Sequence, residues 1–479
     1  MNKAPPAARH PARAPQLAAL PGHVLRQMID ARTISIPELV QDSLDAIGAA
    51  DPAIHAFVTL CPDQAMAEAH AAQKRVGSSD LPLLGLPLAV KDAEPVAGLR
   101  FTSGSLVYVE RIATTDSLHV ARLRAAGAIV IGKTNTPEFT LLGETRNRLG
   151  PDTCNPWKPL MTSGGSSGGS AAALASGMVP LATGSDTAGS ITVPAAFCGV
   201  VGIKPSHRRI PVWPGSEDWA PYADVGPMTR SVADAALMLA ATSGPDPRDS
   251  YAALDLDARA MPLRLTRRLK IGWVPTLVDI PVDPVCAAAV ADMATALASL
   301  GHDLHPHGPD LANPGQAFDL VGAVQEYRIR GALLEGSASQ LGTETAEILA
   351  RGRDACPREI EAASALLNRI AAAFREFLGG YDILLAPATA CLAFPLRQPP
   401  AMIGARAVVP DWPSYAPFNM FANISGCPVA TLPWQMSDCG LPVGVLAFAG
   451  YGRDAMLLAA LAEAEHLRGA FPRADVRTY

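Results

Sequence analysis

The chain has 479 residues, 49% of them hydrophobic and 18% charged, with 39 Lys+Arg against 45 Asp+Glu and a formal charge of −6. This is the composition of a globular chain with a large core, and the acidic excess argues against nucleic-acid binding, which calls for a basic stripe. No apolar run approaches the ~18–20 residues of a bilayer span, so no membrane partner is expected.

The stretch Met1–Pro11, rich in Pro and Ala, lacks the continuous apolar core of a signal peptide. Residues 1–20 are therefore expected to form a flexible tail, residues 21–479 a single domain, and the address to be cytoplasmic. Eight widely spaced cysteines without a C-x-x-C pair read as free thiols in a reducing compartment. A helix is expected near Gly22–Ala31 and another over Ser35–Ile47. In the second, Ser35 caps, Pro37 suits the first turn, and Leu39, Val40, Leu44 and Ile47 share one face.

Leu81–Val90 reads as an apolar strand ending at Lys91-Asp92. Ser117–Ala126 reads as a helix stopped by Gly127, and Ala128–Ile131 as a buried strand. Ser170–Ser176 and Val179–Thr183 repeat the helix–strand succession, and such alternation points to an α/β layered fold. The polar, turn-rich stretch 245–270 marks a boundary of organisation. It ends in the densest basic run, Arg264–Lys270, read as a solvated approach to a strand at Ile271–Val274. Beyond it, 284–300 and 357–378 read as helices, Asp382–Ala386 and Pro428–Leu432 as strands. His305-Pro-His307 is a lone H-x-H in a polar loop, a surface feature rather than a metal site.

The stretch with most chemistry runs from Thr162 to Pro205. Ser163-Gly-Gly-Ser-Ser-Gly-Gly-Ser170 has a linker's composition, yet it leads straight into a small-residue helix and an apolar strand. It lacks the Lys of a phosphate-binding loop. Gly165-Ser-Ser-Gly-Gly169 fits the G-x-S-x-G string of a nucleophile elbow centred on Ser167, which keeps an α/β-hydrolase esterase open as an alternative. Gly184-Ser-Asp-Thr-Ala-Gly-Ser190 is either an ordinary Asx-type turn or a nest of N–H groups beside a nucleophilic serine. A serine needs a base, and the nearest histidines are His119 and His207. Lys91, at the end of an apolar run, can serve if desolvated; a salt bridge with Asp92 or another acid is the competing role.

Lys91-Asp92, Gly164–Ser170 and Gly184–Ser190, in this order, closely resemble the amidase-signature family. So do Gly132–Asn135, Phe197–Pro205, Gly226–Ala235, Asp382–Pro387 and Ala416–Asn419, so that the resemblance spans about residues 30 to 470. It implies a central mixed β-sheet flanked on both faces by α-helices, with the catalytic core at about 75–240. It also implies a triad of Ser190 as nucleophile, Ser166 (after a cis peptide from Gly165) as proton relay, and Lys91 as base. Thr187, Ala188, Gly189 and Ser190 would form the oxyanion hole, Ser167 and Asp186 would support it, and neither metal nor organic cofactor is needed. Two positions depart from the family: Ala188 stands for the usual Gly and Thr192 for the usual Arg. The segments Glu138–Gly143 and Ser206–Pro214 are expected at the substrate entrance, offering Phe139, Leu141, Leu142, Arg209, Ile210, Val212 and Trp213.

The loops resemble free-standing microbial amidases, among them metagenomic urethanases that hydrolyse small carbamates. The expected partner is thus a small amide or carbamate, with side activity on esters, and the chain a monomer or homodimer. The glutaminase subunit of a tRNA-dependent amidotransferase ranks lower, because the Tyr/Ser-rich stretch after its Lys-Pro motif is missing here. A non-catalytic binding protein that keeps the loops as scaffold is the remaining alternative.

Overall fold

Helix starts are written locally. Ser35 and Glu38 form a capping box with two reciprocal side-chain-to-backbone bonds of 3.2 and 3.3 Å. The helix they open, Ile36–Ile54, runs a further two turns beyond the expected end, through Gly48 and Pro52, because Ala46, Ile47, Ala50 and Ile54 continue its buried face. Ser117 likewise caps Leu118–Ala125 by accepting from the Val120 N–H. The computed structural model describes residues 16–215, 221–252 and 261–476. Most of the expected N-terminal tail thus lies outside the described residues, but Leu17–Ala19 forms a 3-10 turn with Ala18 buried.

Eleven strands build one sheet: β1 Phe57–Leu60, β2 Pro87–Lys91, β3 Ile129–Thr134, β4 Leu181–Asp186, β5 Val201–Lys204, β6 Asp224–Thr229, β7 Lys270–Trp273, β8 Asp303–His305, β9 Ile383–Pro387, β10 Val429–Met436 and β11 Pro442–Ala449. Their spatial order is β1-β3-β2-β4-β6-β5-β10-β11-β9-β7-β8. The sheet is mixed, as expected: β3, β2 and β4 run parallel, as do β9, β7 and β8, while the strands between them pair antiparallel. Helices flank it, and apolar clusters fill the space between helices and strands. The stretch 245–270 does not separate two sheets, since strands from both sides of it hydrogen-bond into this one.

The expected strand Leu81–Val90 is shorter in the structure. Only its last part extends, into β2, because residues 82–85 turn, and Leu83, Leu84 and Leu86 are buried in and just after that turn. A continuous apolar run signals burial, not extension. Arg267 in the basic run pairs with Asp382, and His305 and His307 pack against Tyr381.

Two features of the sheet position the site. The parallel pair β2–β4, in register at Ala89↔Ala182, brings Lys91 and Asp186 to the same carboxyl end, where open α/β sheets form crevices. Beside it, β3 contributes Lys133, whose ammonium meets Asp92 at 2.9 Å with both side chains at most 1% exposed. Asp92 also accepts from the Thr102 N–H and hydroxyl. Asp92→Ala leaves the buried Lys133 charge alone, and a loss of about 3–5 kcal/mol is expected. Urea unfolding checks it: a loss below about 1 kcal/mol would mean that water reaches Lys133.

Candidate active site

The Gly/Ser run is not a linker. From Ser163 to Ser170 it is fully buried and fastened from several sides. The Thr145 hydroxyl donates to the Gly164 carbonyl and accepts from the Gly168 N–H, and the Thr136 hydroxyl donates to the Ser166 carbonyl. Gly165 is needed for close approach, since a Cβ there would lie 2.7 Å from the Leu142 carbonyl oxygen. The Gly165–Ser166 peptide is cis. Helix Gly168–Ala175 follows, small enough along its whole length to sit buried against the sheet.

Lys91 is fully buried, and its Nζ lies 2.7 Å from Ser166 Oγ, 2.9 Å from Ser185 Oγ and 3.3 Å from the Ser185 carbonyl. It makes no ion pair with Asp92, which is spent on Lys133. Burial, opposed by the more distant Asp186 and Glu94 carboxylates, pulls Lys91 down to about 7. The two neighbouring buried lysines therefore differ in one respect: Lys133 has a carboxylate in contact, and Lys91 has hydroxyls and a carbonyl.

The second loop is held by Asp186, whose two oxygens accept from the Gly189 and Ile191 N–H groups at 2.7 Å each. Asn423 donates to the Asp186 carboxylate and carbonyl. Gly189 has φ +110°, and a Cβ there would meet the Asn419 side chain at 2.4 Å. Of the four N–H groups expected in an oxyanion hole, Gly189's is thus committed to Asp186. Those of Thr187, Ala188 and Ser190 have no acceptor among the described residues. The Ser167 N–H donates to the Ser190 carbonyl and joins the two loops. The Ser167 hydroxyl donates to the Ser185 carbonyl that Lys91 also reaches. Fully buried and so engaged, Ser167 is not presented to the cavity as an elbow nucleophile would be. Thr192 donates to Asn419 Oδ1 at 2.7 Å and so ties the turn to that residue. Ala188 packs against the apolar cluster that includes Phe318, Val321 and Met420.

Ser190, Thr187 and Ala188 open onto a cavity of about 580 Å³, which Phe139, Leu141, Leu142, Val212 and Trp213 also line. Two expected lining residues are not there. Arg209 turns away and pairs with Asp454 at 2.9 Å, and Ile210, 1% exposed, packs into the apolar cluster with Val201 and Ile203. Asp454 also accepts from the Ser206 N–H and hydroxyl, drawing this half of the loop inward, while Val212 and Trp213 face the cavity.

Several wall residues escaped the sequence reading. Glu94 and His119, both buried, meet at 2.9 Å beside Ser117. Burial pushes the Glu94 carboxyl up, but the His119 imidazole, with the Thr183 hydroxyl and the Lys133 charge, holds it below the usual range. Arg111, Asp319, Glu326, Arg330 and Arg351 also line the cavity. Of these ionisable residues the sequence reading names only His119, as one of the two histidines nearest the serine motifs, and not as a lining residue.

The Amidase family model matches residues 38–458. The acylamidase of Rhodococcus erythropolis is 34% identical over 452 residues, covering 92% of this chain and 94% of that protein. One component chain of the glutamyl-tRNA(Gln) amidotransferase of Synechococcus sp. (strain CC9605) is 34% identical over 460 residues, covering 88% of this chain and 90% of that one. The solved structure of 6-aminohexanoate cyclic dimer hydrolase complexed with substrate superposes with a TM-score of 0.86 at 28% identity, over 96% of this chain and 99% of that one. The chain belongs to the amidase-signature family and is an amide-hydrolysing enzyme.

Proposed function

We propose that the enzyme hydrolyses small amides, and also carbamates and esters, through an acyl-enzyme on Ser190, with Ser166 as proton relay and Lys91 as base. The observation that carries this reading is the 2.7 Å contact between Lys91 Nζ and Ser166 Oγ, made by a lysine that burial brings to about 7. Near neutral pH such a lysine has a lone pair to offer. Ser166 gives its proton to Lys91 and takes that of Ser190, whose Oγ attacks the carbonyl carbon. The oxyanion forms beside the N–H groups of Thr187, Ala188 and Ser190, fixed donors that need no reorganisation. The relay then runs backward: Lys91 returns its proton through Ser166 to the leaving nitrogen, and the C–N bond breaks. Water, deprotonated by the same relay, attacks the ester carbonyl and frees Ser190.

A carbamate presents the same carbonyl. Loss of its amine leaves a carbonate ester on Ser190 that water cleaves in the same way. The apolar wall at Leu141, Leu142 and Trp213 suits an alkyl or aryl group next to the scissile bond.

The amidotransferase relative favours a second reading, a glutaminase working with partner chains. One experiment separates the two. The enzyme is offered p-nitroanilides, aryl carbamates and glutamine, and Ser190 labelling by a sulfonyl fluoride is followed by peptide mass spectrometry. Amine release from anilides and carbamates with label on Ser190 is the expected outcome. Turnover of glutamine alone would establish the second reading, and label on Ser167 would refute the triad.

A further inference from the structure

Besides its apolar residues the cavity is lined by charged ones, and most of these are matched. Glu94 faces His119 at 2.9 Å, and Asp224 faces Lys204 at 3.1 Å and His207 at 3.0 Å. Glu326 pairs with Arg330. Arg351 reaches the Asp319 carbonyl at 3.4 Å, and its charge opposes the burial that pushes the Asp319 carboxyl up to about 6. Arg111 is different. It makes no ion pair among the described residues, and the Asp92 carboxylate, whose charge acts on it, is in contact with Lys133.

Arg111 is also held in place. Its guanidinium carbon lies 3.9 Å from the ring centroids of both Phe101 and Tyr108, its Nε donates to the Phe101 carbonyl at 2.7 Å, and its Nη2 donates to Ser103 Oγ at 3.2 Å. A guanidinium has five N–H donors. Nη1 and the second hydrogen of Nη2 have no acceptor among the described residues. A half-buried, ring-braced guanidinium without a carboxylate is a preorganised fork, and the matching group is a carboxylate approaching through two oxygens.

We infer that Arg111 is a specificity-determining residue, and that the enzyme selects amides whose acyl part ends in a carboxylate, bound at Arg111 while the scissile carbonyl lies at Ser190. The inference rests on the amide-hydrolysis reading for what happens at Ser190, but not for what Arg111 binds. The amide bond of such a substrate divides an amine from a dicarboxylic acid.

The test compares succinyl-, glutaryl- and adipyl-p-nitroanilide with butyryl-, valeryl- and hexanoyl-p-nitroanilide, which have the same chain lengths without the charge. The wild type is expected to favour at least one acidic anilide over its neutral counterpart by about tenfold or more in kcat/KM, chiefly through KM. Arg111→Ala should abolish that preference and Arg111→Lys restore part of it, whereas a merely structural Arg111 would lower both series alike. No preference in the wild type, or one that survives Arg111→Ala, overturns the inference. If the wild type cleaves none of the six, the reading of Ser190 is what fails, and calorimetry with glutarate and butyrate decides Arg111. Glutarate binding tighter by about tenfold, and losing that margin in Arg111→Ala, upholds the inference; equal binding overturns it.

Discussion

Ser190→Ala and Lys91→Met should each lower kcat for amide hydrolysis by about 10⁴–10⁶, and the double variant should fall little further. The reason is that the groups act as one unit. Without the Ser190 hydroxyl, the Lys91–Ser166 contact has no proton to move. Without Lys91, Ser166 can pass on no proton, and Ser190 is left with the pKa of an ordinary alcohol. Donors that remain around the oxyanion still bind a carbonyl, so a residue of catalysis over water is expected in all three variants. Single-turnover rates with one p-nitroanilide measure it. Losses that multiply in the double variant would mean that Lys91 works independently of Ser190, which the proposed relay does not allow.

The second large effect is on pH. If neutral Lys91 is the base, log kcat/KM should climb with unit slope below about pH 7 and level off above it, because burial sets the lysine there. The same shift acts on stability, with a sign that can be worked out. An unfolded lysine titrates near 10.5 and the folded Lys91 near 7, so between those values the unfolded chain holds a proton that the folded chain lacks. Stability contributed by this group therefore rises with pH across that window, and below it the full cost of burying the charge is present. Lys91→Met removes the charge and leaves the Ser166 and Ser185 hydroxyls short of a partner. Its stability relative to wild type should thus be most favourable at pH 6 and decline by a few kcal/mol toward pH 10. Urea midpoints at pH 6, 8 and 10 test this. A relative stability that stays flat would mean that Lys91 remains charged throughout, with water or a counter-ion near it.

Much of the fold was legible because its signals are local. Ser35 and Ser117 mark helix starts by capping, which needs only the next three residues. The helices at 284–300 and 357–378 and the strands near 383 and 429 announce themselves by periodicity or by an apolar run. Other elements did not. β1, β5, β6, β8 and β11 went unread, as did the helices Gly315–Arg330 and Thr343–Arg353, which carry several of the charged residues lining the cavity. β11 is itself an apolar run; the others lack strong caps or a clear periodic stripe, and what holds them is packing against distant segments.

The same division runs through the site. By itself, the sequence determined which residues meet: Lys91, Ser166, Ser167, Asp186 and Ser190 lie in motifs long enough for their order to imply an arrangement, and glycines stand where the backbone must pass closely. Tertiary structure alone decided what state they are in. Asp92 follows Lys91 in the chain, yet strand geometry points it at Lys133, 41 residues away, and this leaves Lys91 buried without a contacting acid. It decided, too, that Arg209 and Ile210 turn inward while Trp213, a few residues on, faces the cavity, because Asp454 near the other end of the chain draws the loop inward. And it left Arg111 unmatched among paired charges. Charge state and side-chain direction depend on the sum of contacts across the fold, and a local pattern of residues does not contain that sum.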